Sequence, residues 1–161
     1  MRQPITRSLQ LKLIVWFGRI HATILKLSRG KVASRLAGLD MLLLTTTGHR
    51  TGRPHHNPLL YTEQNASYYC AASFGGSHNN PDWFKNIVEI PQVNIMVKGR
   101  TFAAVGIILS GTEREVAWDA LIRYYPPFKK YQTRTSRIIP VIRFIQSDAP
   151  INRLPRTIQQ D

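Results

Sequence analysis

The spacing of hydrophobic and polar positions along this chain changes near residue 40. Before it, Leu13, Trp16, Phe17, Ile20, Ile24 and Leu27 recur at the three- and four-residue intervals of one helical face. Lys12, Arg19 and Lys26 recur every seven residues and line up on another face. The pattern predicts an amphipathic helix over 9–28, then a Gly- and Lys/Arg-rich connector to residue 39. Beyond it, the apolar, β-branched stretch 41–46 reads as a strand, and 58–62 with 67–72 as a hairpin turning at Glu63-Gln64-Asn65. Asn80 at a cap, Pro81 at the first helical position and Asp82 in the first turn predict a helix that carries Trp83, Phe84, Ile87 and Val88 and ends near Pro91. Stretches 92–97 and 101–109 flank the tight turn Lys98-Gly99-Arg100 as an antiparallel pair. A second helix is expected from Gly111 or Thr112, with Thr112 and Glu115 at capping-box spacing. Its inner face would be Val116, Ala117, Ala120, Leu121 and Tyr124, and Pro126-Pro127 would stop it. The stretch 128–136 reads as polar and 138–145 as a last strand, with Pro140 placed on an edge. Strands interrupted by two helices amount to a small barrel-like α+β domain over 39–146, with a basic N-terminal segment over 1–38 and a polar tail over 147–161.

At 161 residues the chain is long enough for one domain with a real core. Its single cysteine, Cys70, excludes an internal disulfide and a cysteine-rich metal site, and the apolar context YYCAAS suits a buried, inert thiol. Such cysteine usage fits a reducing compartment.

Charge adds more. Twenty-two Lys and Arg against nine Asp and Glu give a net charge of +13. Residues 1–35 carry no acid at all; the first is Asp40. Nucleic acid, an anionic membrane and a polyanionic small molecule all suit such a surplus. The aromatics do not alternate with the basic residues as stacking platforms would, which argues against nucleic acid. A basic helical face opposite Trp, Phe and Ile suits an anionic bilayer surface. The same helix can instead pack its apolar face on the domain or on a second subunit. The longest apolar run near the N-terminus, 13–17, falls far short of the ~20 residues a span needs. Lys26 and Arg29 interrupt any signal-peptide pattern. A cytoplasmic protein is expected, with a peripheral position on the inner face of the cell membrane as the finer expectation.

The candidate chemistry sits in three places. LLLTTTGHRTGRPHHNPLL, over 42–60, joins two apolar runs through a turn with Gly48 and Gly52, exposed backbone amides and the cations Arg50 and Arg53, a combination suited to a phosphate. A basic surface hairpin without a ligand has the same sequence. Ala71-Ala72-Ser73-Phe74-Gly75-Gly76 ends a strand in a Gly-Gly turn just before a helix, where amides can hold an anion or a polar ring edge; a plain connecting turn reads the same way. Tyr124-Tyr125-Pro126-Pro127-Phe128-Lys129-Lys130-Tyr131 either walls an apolar pocket or packs a helix end. No nucleophile elbow, dinucleotide fingerprint or Walker pattern is present. His49, His55 and His56 lack a nearby carboxylate or cysteine, and His55 and His56 would face opposite sides of a strand, so no metal site is expected.

These blocks, LLLTTTGHRTGRPHHNPLLY, AASFGG…NPDWFKNI and RYYPPFKKYQTRTSRIIPV, resemble in order and spacing the deazaflavin-dependent nitroreductase family, from about Trp16 to about Ile145. The resemblance implies a split β-barrel fold related to the FMN-binding oxidases of pyridoxine phosphate. It also implies hydride transfer from reduced coenzyme F-420 to a quinone, nitro or other activated unsaturated acceptor. It places Gly48, His49, Arg50, Thr51, Gly52 and His55 at the cofactor's phosphate, and Asn57 and Pro58 along the returning strand. Ser73, Phe74, Gly75, Gly76 and Trp83 would lie near the ring and tail. Tyr125 and Tyr131 would line the substrate side, where they or Ser73 would donate a hydrogen bond to the acceptor. His55 stands where the family often has a basic residue, Phe74 where it commonly has Lys, and Phe128 where it can have Tyr. The rival readings are an FMN-binding barrel of the same fold and a non-catalytic basic protein of membrane surfaces or nucleic acid. A homodimer is a further expectation from the resemblance.

Overall fold

A computed structural model describes residues 35–36 and 38–147. The helix expected over 9–28 and nearly all of the polar tail lie outside the described residues. The elements are β1 (Arg35–Leu36), β2 (Leu39–Thr47), β3 (Pro54–Leu60), β4 (Thr62–Gln64), β5 (Ser67–Ala71), a 3-10 turn (Phe74–Gly76), α1 (Asp82–Glu89), β6 (Gln92–Val97), β7 (Arg100–Ile108), α2 (Gly111–Tyr124), α3 (Pro127–Thr133) and β8 (Val141–Gln146).

All strand pairs are antiparallel, in the order β1-β2-β6-β7-β8-β5-β4, with β3 also paired to β2. Beyond β2 the sheet ends in β3 and the two-residue β1, and at its other end in β4; Tyr61 alone separates β3 from β4 in sequence. One length of chain forms both margins, and the sheet curls into a split barrel. Pro54 and Pro58 share parity in β3. Their missing N–H groups both fall on the edge away from β2, which is why prolines are tolerated in a paired strand.

Alternation sorts the side chains into two cores. Leu42, Leu44, Cys70, Val93, Ile95, Ile142 and Phe144 fill the barrel, together with Trp83, Phe84 and Ile87 from α1, which plugs one mouth. On the outer face, α2 and α3 lay Trp118, Leu121 and Phe128 over Ala71, Ile139 and Val141.

Several expectations shift. Of the 58–62 stretch only Thr62 pairs with 67–72, opposite Tyr69: β3 starts at Pro54 and pairs through Leu60 with β2, while the short β4 carries the hairpin to β5 around Asn65 and Ala66, at φ 50° and 55°. Pro81 precedes α1 with extended backbone rather than opening it, and no side chain caps the helix. Ser110 occupies the cap position of α2 without a side-chain bond, so Thr112 and Glu115 form no capping box. Arg114 and Trp118 face inward on α2 while Val116 is exposed, because the helix lies on β5 and β8 at a rotation set by Trp118. The stretch expected to be polar holds α3. The last strand begins after Pro140 and lies between β7 and β5, not at an edge.

Candidate active site at the barrel mouth

The turn between β2 and β3 closes on itself. Gly48 N–H donates to the Arg53 carbonyl (2.8 Å), and the amides of Thr51 and Gly52 both donate to the Gly48 carbonyl (3.2 and 2.7 Å). Arg53 N–H donates to Thr51 Oγ1 at 3.3 Å. Gly52 has a φ of +64°, which suits glycine. The exposed amides expected here are therefore mostly taken up inside the turn, and the cationic capacity lies in the side chains. Arg50 and Arg53 are exposed, with no acidic partner among the described residues. A Cβ on Gly48 would sit 2.7 Å from His55 Nε2, so the His55 imidazole lies against the turn.

Asn86 of α1 holds this turn in place, a residue that the sequence patterns do not single out. Its Oδ1 accepts from the His49 amide (3.2 Å) and from His49 Nδ1 (2.7 Å), and its Nδ2 donates to buried Thr46 Oγ1 (3.1 Å). An amide oxygen only accepts, so Nδ1 carries the proton and Nε2 is the ring's remaining polar atom. On the same strand pair, His56 Nδ1 meets Thr45 Oγ1 at 2.9 Å, and Asn57 stands opposite Leu44 on the inner face while Pro58 stands opposite Leu43.

The second cluster forms where α3 packs on the 3-10 turn. Ser73 is nearly buried, and Phe74, Gly75 and Gly76 follow with φ of 45°, 63° and 78°. A Cβ on Gly76 would lie 2.5 Å from the Tyr131 carbonyl, a contact only glycine permits. Tyr125 and Tyr131 bring their hydroxyls to 3.4 Å, and Phe128 stands edge-on to both rings. Burial, then the hydrogen bond to Tyr125, pushes the Tyr131 phenol up to about 12, so it keeps its proton at neutral pH. Phe128 is buried against Trp118 and belongs to the outer core. Arg134 lies over the Tyr131 ring at 5.4 Å. Arg137, also missed by sequence patterns, donates to the carbonyls of Ala72, Ser73 and Ser77. Both long-range contacts involve single polar residues, which leave no periodic signal.

The structure thus brings the 48–53 turn, His55 and Asn86 together at one place, and Ser73, Gly75, Gly76, Tyr125 and Tyr131 at another. Helix α1 connects them, since it begins just beyond the 3-10 turn and carries Asn86. Trp83 belongs to neither cluster: it is 6% exposed and packs edge-on against Phe84 in the barrel core.

Fold and clusters define a split-barrel protein with a cationic turn at one mouth and a tyrosine-lined flank. Comparison with known proteins specifies the family. The profile of the F420H(2)-dependent quinone reductase family matches residues 16–146. An F420H(2)-dependent quinone reductase of Mycobacterium tuberculosis H37Rv is 31% identical over 142 residues, covering 86% of this chain and 95% of the relative; a putative enzyme of the same description from Mycobacterium bovis matches equally. A solved F420-H2 dependent reductase superposes with a TM-score of 0.61 at 35% identity, over 65% of this chain and 92% of its own. A structure described as a domain-swapped dimer gives 0.64 at 30% identity, over 81% and 97%. The chain belongs to the F420H(2)-dependent quinone reductase family, a family of oxidoreductases whose cofactor is the deazaflavin coenzyme F-420.

Proposed function

We propose that this protein transfers a hydride from reduced coenzyme F-420 to a quinone, with the cofactor's anionic end on the 48–53 turn and the acceptor beside Tyr125 and Tyr131. The observation that carries the placement is the pair of exposed guanidinium groups, Arg50 and Arg53, on a turn fixed by Asn86 and lacking an acidic neighbour among the described residues. A phosphodiester with a glutamate tail fits that cationic surface. When bound, the deazaflavin supplies the hydride chemistry itself. The chain's task is to hold, orient and shield. Arg50 and Arg53, with Gly48, His49, Thr51, Gly52 and His55 around them, would hold the anionic end, and Asn57 and Pro58 would border it along β3. Ser73, Phe74, Gly75 and Gly76 would form the wall against the ring, with Trp83 supporting it from the core. Tyr131, protonated at neutral pH, would donate together with Tyr125 to an acceptor oxygen as it gains charge.

A fluorescence titration of the full chain with coenzyme F-420 and, in parallel, FMN tests the cofactor. Saturable binding of coenzyme F-420 alone is expected, followed by quinone-dependent oxidation of its reduced form. Tight binding of FMN alone, or of neither, overturns the reading. The double substitution Tyr125→Phe, Tyr131→Phe should lower kcat by about 10²-fold, the usual scale for lost donors to a developing oxyanion. Unchanged turnover removes the tyrosines from the reaction.

Two finer features go with this function. Among the described residues no helix is long and apolar enough to cross a membrane. The basic segment before residue 31 would bring a cytoplasmic enzyme to anionic lipid, where lipid-soluble quinones reside. A chain starting at Ala33 should sediment with anionic vesicles less than the full chain does; equal sedimentation defeats that role. A homodimer, supported by the domain-swapped dimer of similar fold, would appear in light scattering as twice the 18.4 kDa chain mass.

A further inference from the structure

Arg137 has no place in the function just proposed, yet its guanidinium makes three bonds to a single stretch of backbone. Nε donates to the Ser77 carbonyl at 2.8 Å, and Nη2 to the carbonyls of Ala72 and Ser73 at 3.0 and 2.9 Å. Every described peptide unit is trans, and in a trans unit the carbonyl and the N–H point in opposite directions. The Ala72 carbonyl shares its unit with the Ser73 amide, and the Ser73 carbonyl with the Phe74 amide. Both amides therefore point away from the guanidinium, and among the described residues neither has an acceptor. Ser73 is right-handed (φ −73°, ψ −39°) and Phe74 left-handed (φ 45°), the succession that gathers neighbouring N–H groups into a concavity for a negative oxygen. A left-handed Phe is strained, so the surroundings must impose it. Arg137 on the carbonyls and α3 against Gly76 do so. Among the described residues no carboxylate neutralises Arg137, and its Nη1 is buried without a protein partner. The full charge thus stays beside the two carbonyls and strengthens the N–H donors at the far side of each unit.

We infer that Arg137 is a positioning residue, holding and polarising the 72–74 peptide units so that the Ser73 and Phe74 amides donate to one ring carbonyl oxygen of a bound molecule. The inference rests on the proposed function, in which both the deazaflavin and the quinone carry such an oxygen.

Amide hydrogen exchange on the wild-type full chain separates the two sources. Protection of Ser73 and Phe74 on adding oxidised coenzyme F-420 assigns the oxygen to the cofactor. Protection that arises only when menadione is added as well assigns it to the acceptor. Arg137→Lys keeps the charge but cannot span three carbonyls, and Arg137→Gln loses both charge and fork. Each folded variant should bind the protecting molecule at least tenfold more weakly. Where the protecting molecule is coenzyme F-420, its bound absorption maximum should also lie closer to that of free coenzyme than in the wild type, a change that a purely structural role would not produce. Wild-type affinity and spectrum in either folded variant overturn the inference. So does exchange at Ser73 and Phe74 that neither coenzyme F-420 nor added menadione changes, in a wild-type chain that binds coenzyme F-420, a result that needs no variant to fold and leaves the proposed function intact. A wild-type chain that binds neither molecule defeats both.

Discussion

Asn86 ties the barrel core to the cationic turn: one side chain receives two bonds from His49 and gives one to Thr46, which is 1% exposed. Asn86→Ala would leave the Thr46 hydroxyl without this donor and release His49. Losing a buried partner costs about 1–3 kcal/mol, so the urea midpoint should fall and coenzyme F-420 should bind more weakly. A variant with unchanged midpoint and affinity would show that the turn stands without its anchor. Arg50 and Arg53 belong to a different regime because both are exposed. Their substitution by Gln should leave stability near wild type, since exposed charges contribute little to folding. Each should nevertheless weaken cofactor binding about tenfold, or roughly 1.4 kcal/mol, with a shallower dependence of log Kd on salt. Titrations at two salt concentrations read this directly, and a Kd that ignores both substitutions would move the phosphate elsewhere.

At the scale of elements, α3 and the 3-10 turn act as one unit because Gly76 lets them touch. Gly76→Ala introduces a Cβ 2.5 Å from the Tyr131 carbonyl at a φ of +78°. Strain of this kind costs about 1–3 kcal/mol, and the relief available is to move α3, and with it Tyr131, off the turn. A lower thermal midpoint together with lost quinone reduction is expected; a variant as stable and active as wild type would mean that the contact relaxes freely. This unit was also the hardest to read from sequence. The strands β2, β6 and β7 were legible because their buried positions alternate strictly or form an apolar run. Helix α3 was not, since its seven residues from Pro127 show no helical period and form only because Phe128 and Tyr131 find the outer core. The partner of β3 was missed for a related reason: β3 and β4 run almost continuously, and only the closed barrel reveals that they pair with different strands. In the candidate site, glycines, arginines and tyrosines stood out by type and order. Asn86 and Arg137 act across 40 and 65 residues of sequence, a distance at which no local pattern operates.

For the molecule as a whole, barrel closure and alkaline stability are linked through buried acidic protons. Burial, helped by the charge of Asp40, pushes Tyr61 far up at the point where the chain passes from β3 to β4; burial alone does the same to Cys70 inside the barrel. Tyr68 is raised mainly by burial, and Tyr131 to about 12. A group whose folded pKa exceeds its unfolded value contributes stability that is complete below the unfolded value and disappears as pH rises toward the folded one. The unfolded values are 9.0 for the thiol and 10.0 for the phenols, so the loss begins near pH 9 and continues beyond 12. Loss of positive charge from lysines over the same range acts the other way, because it relieves the self-repulsion of a chain with net charge +13. The buried groups should dominate, since they must ionise within packed surroundings while the lysine charges are screened at ordinary salt. The urea midpoint should therefore fall between pH 8.5 and pH 11, and fall less in Tyr61→Phe, which removes one of the ionising groups and keeps the ring. A midpoint that holds steady, or a fall of equal size in both proteins, would mean that the margin where the barrel closes does not set its alkaline limit.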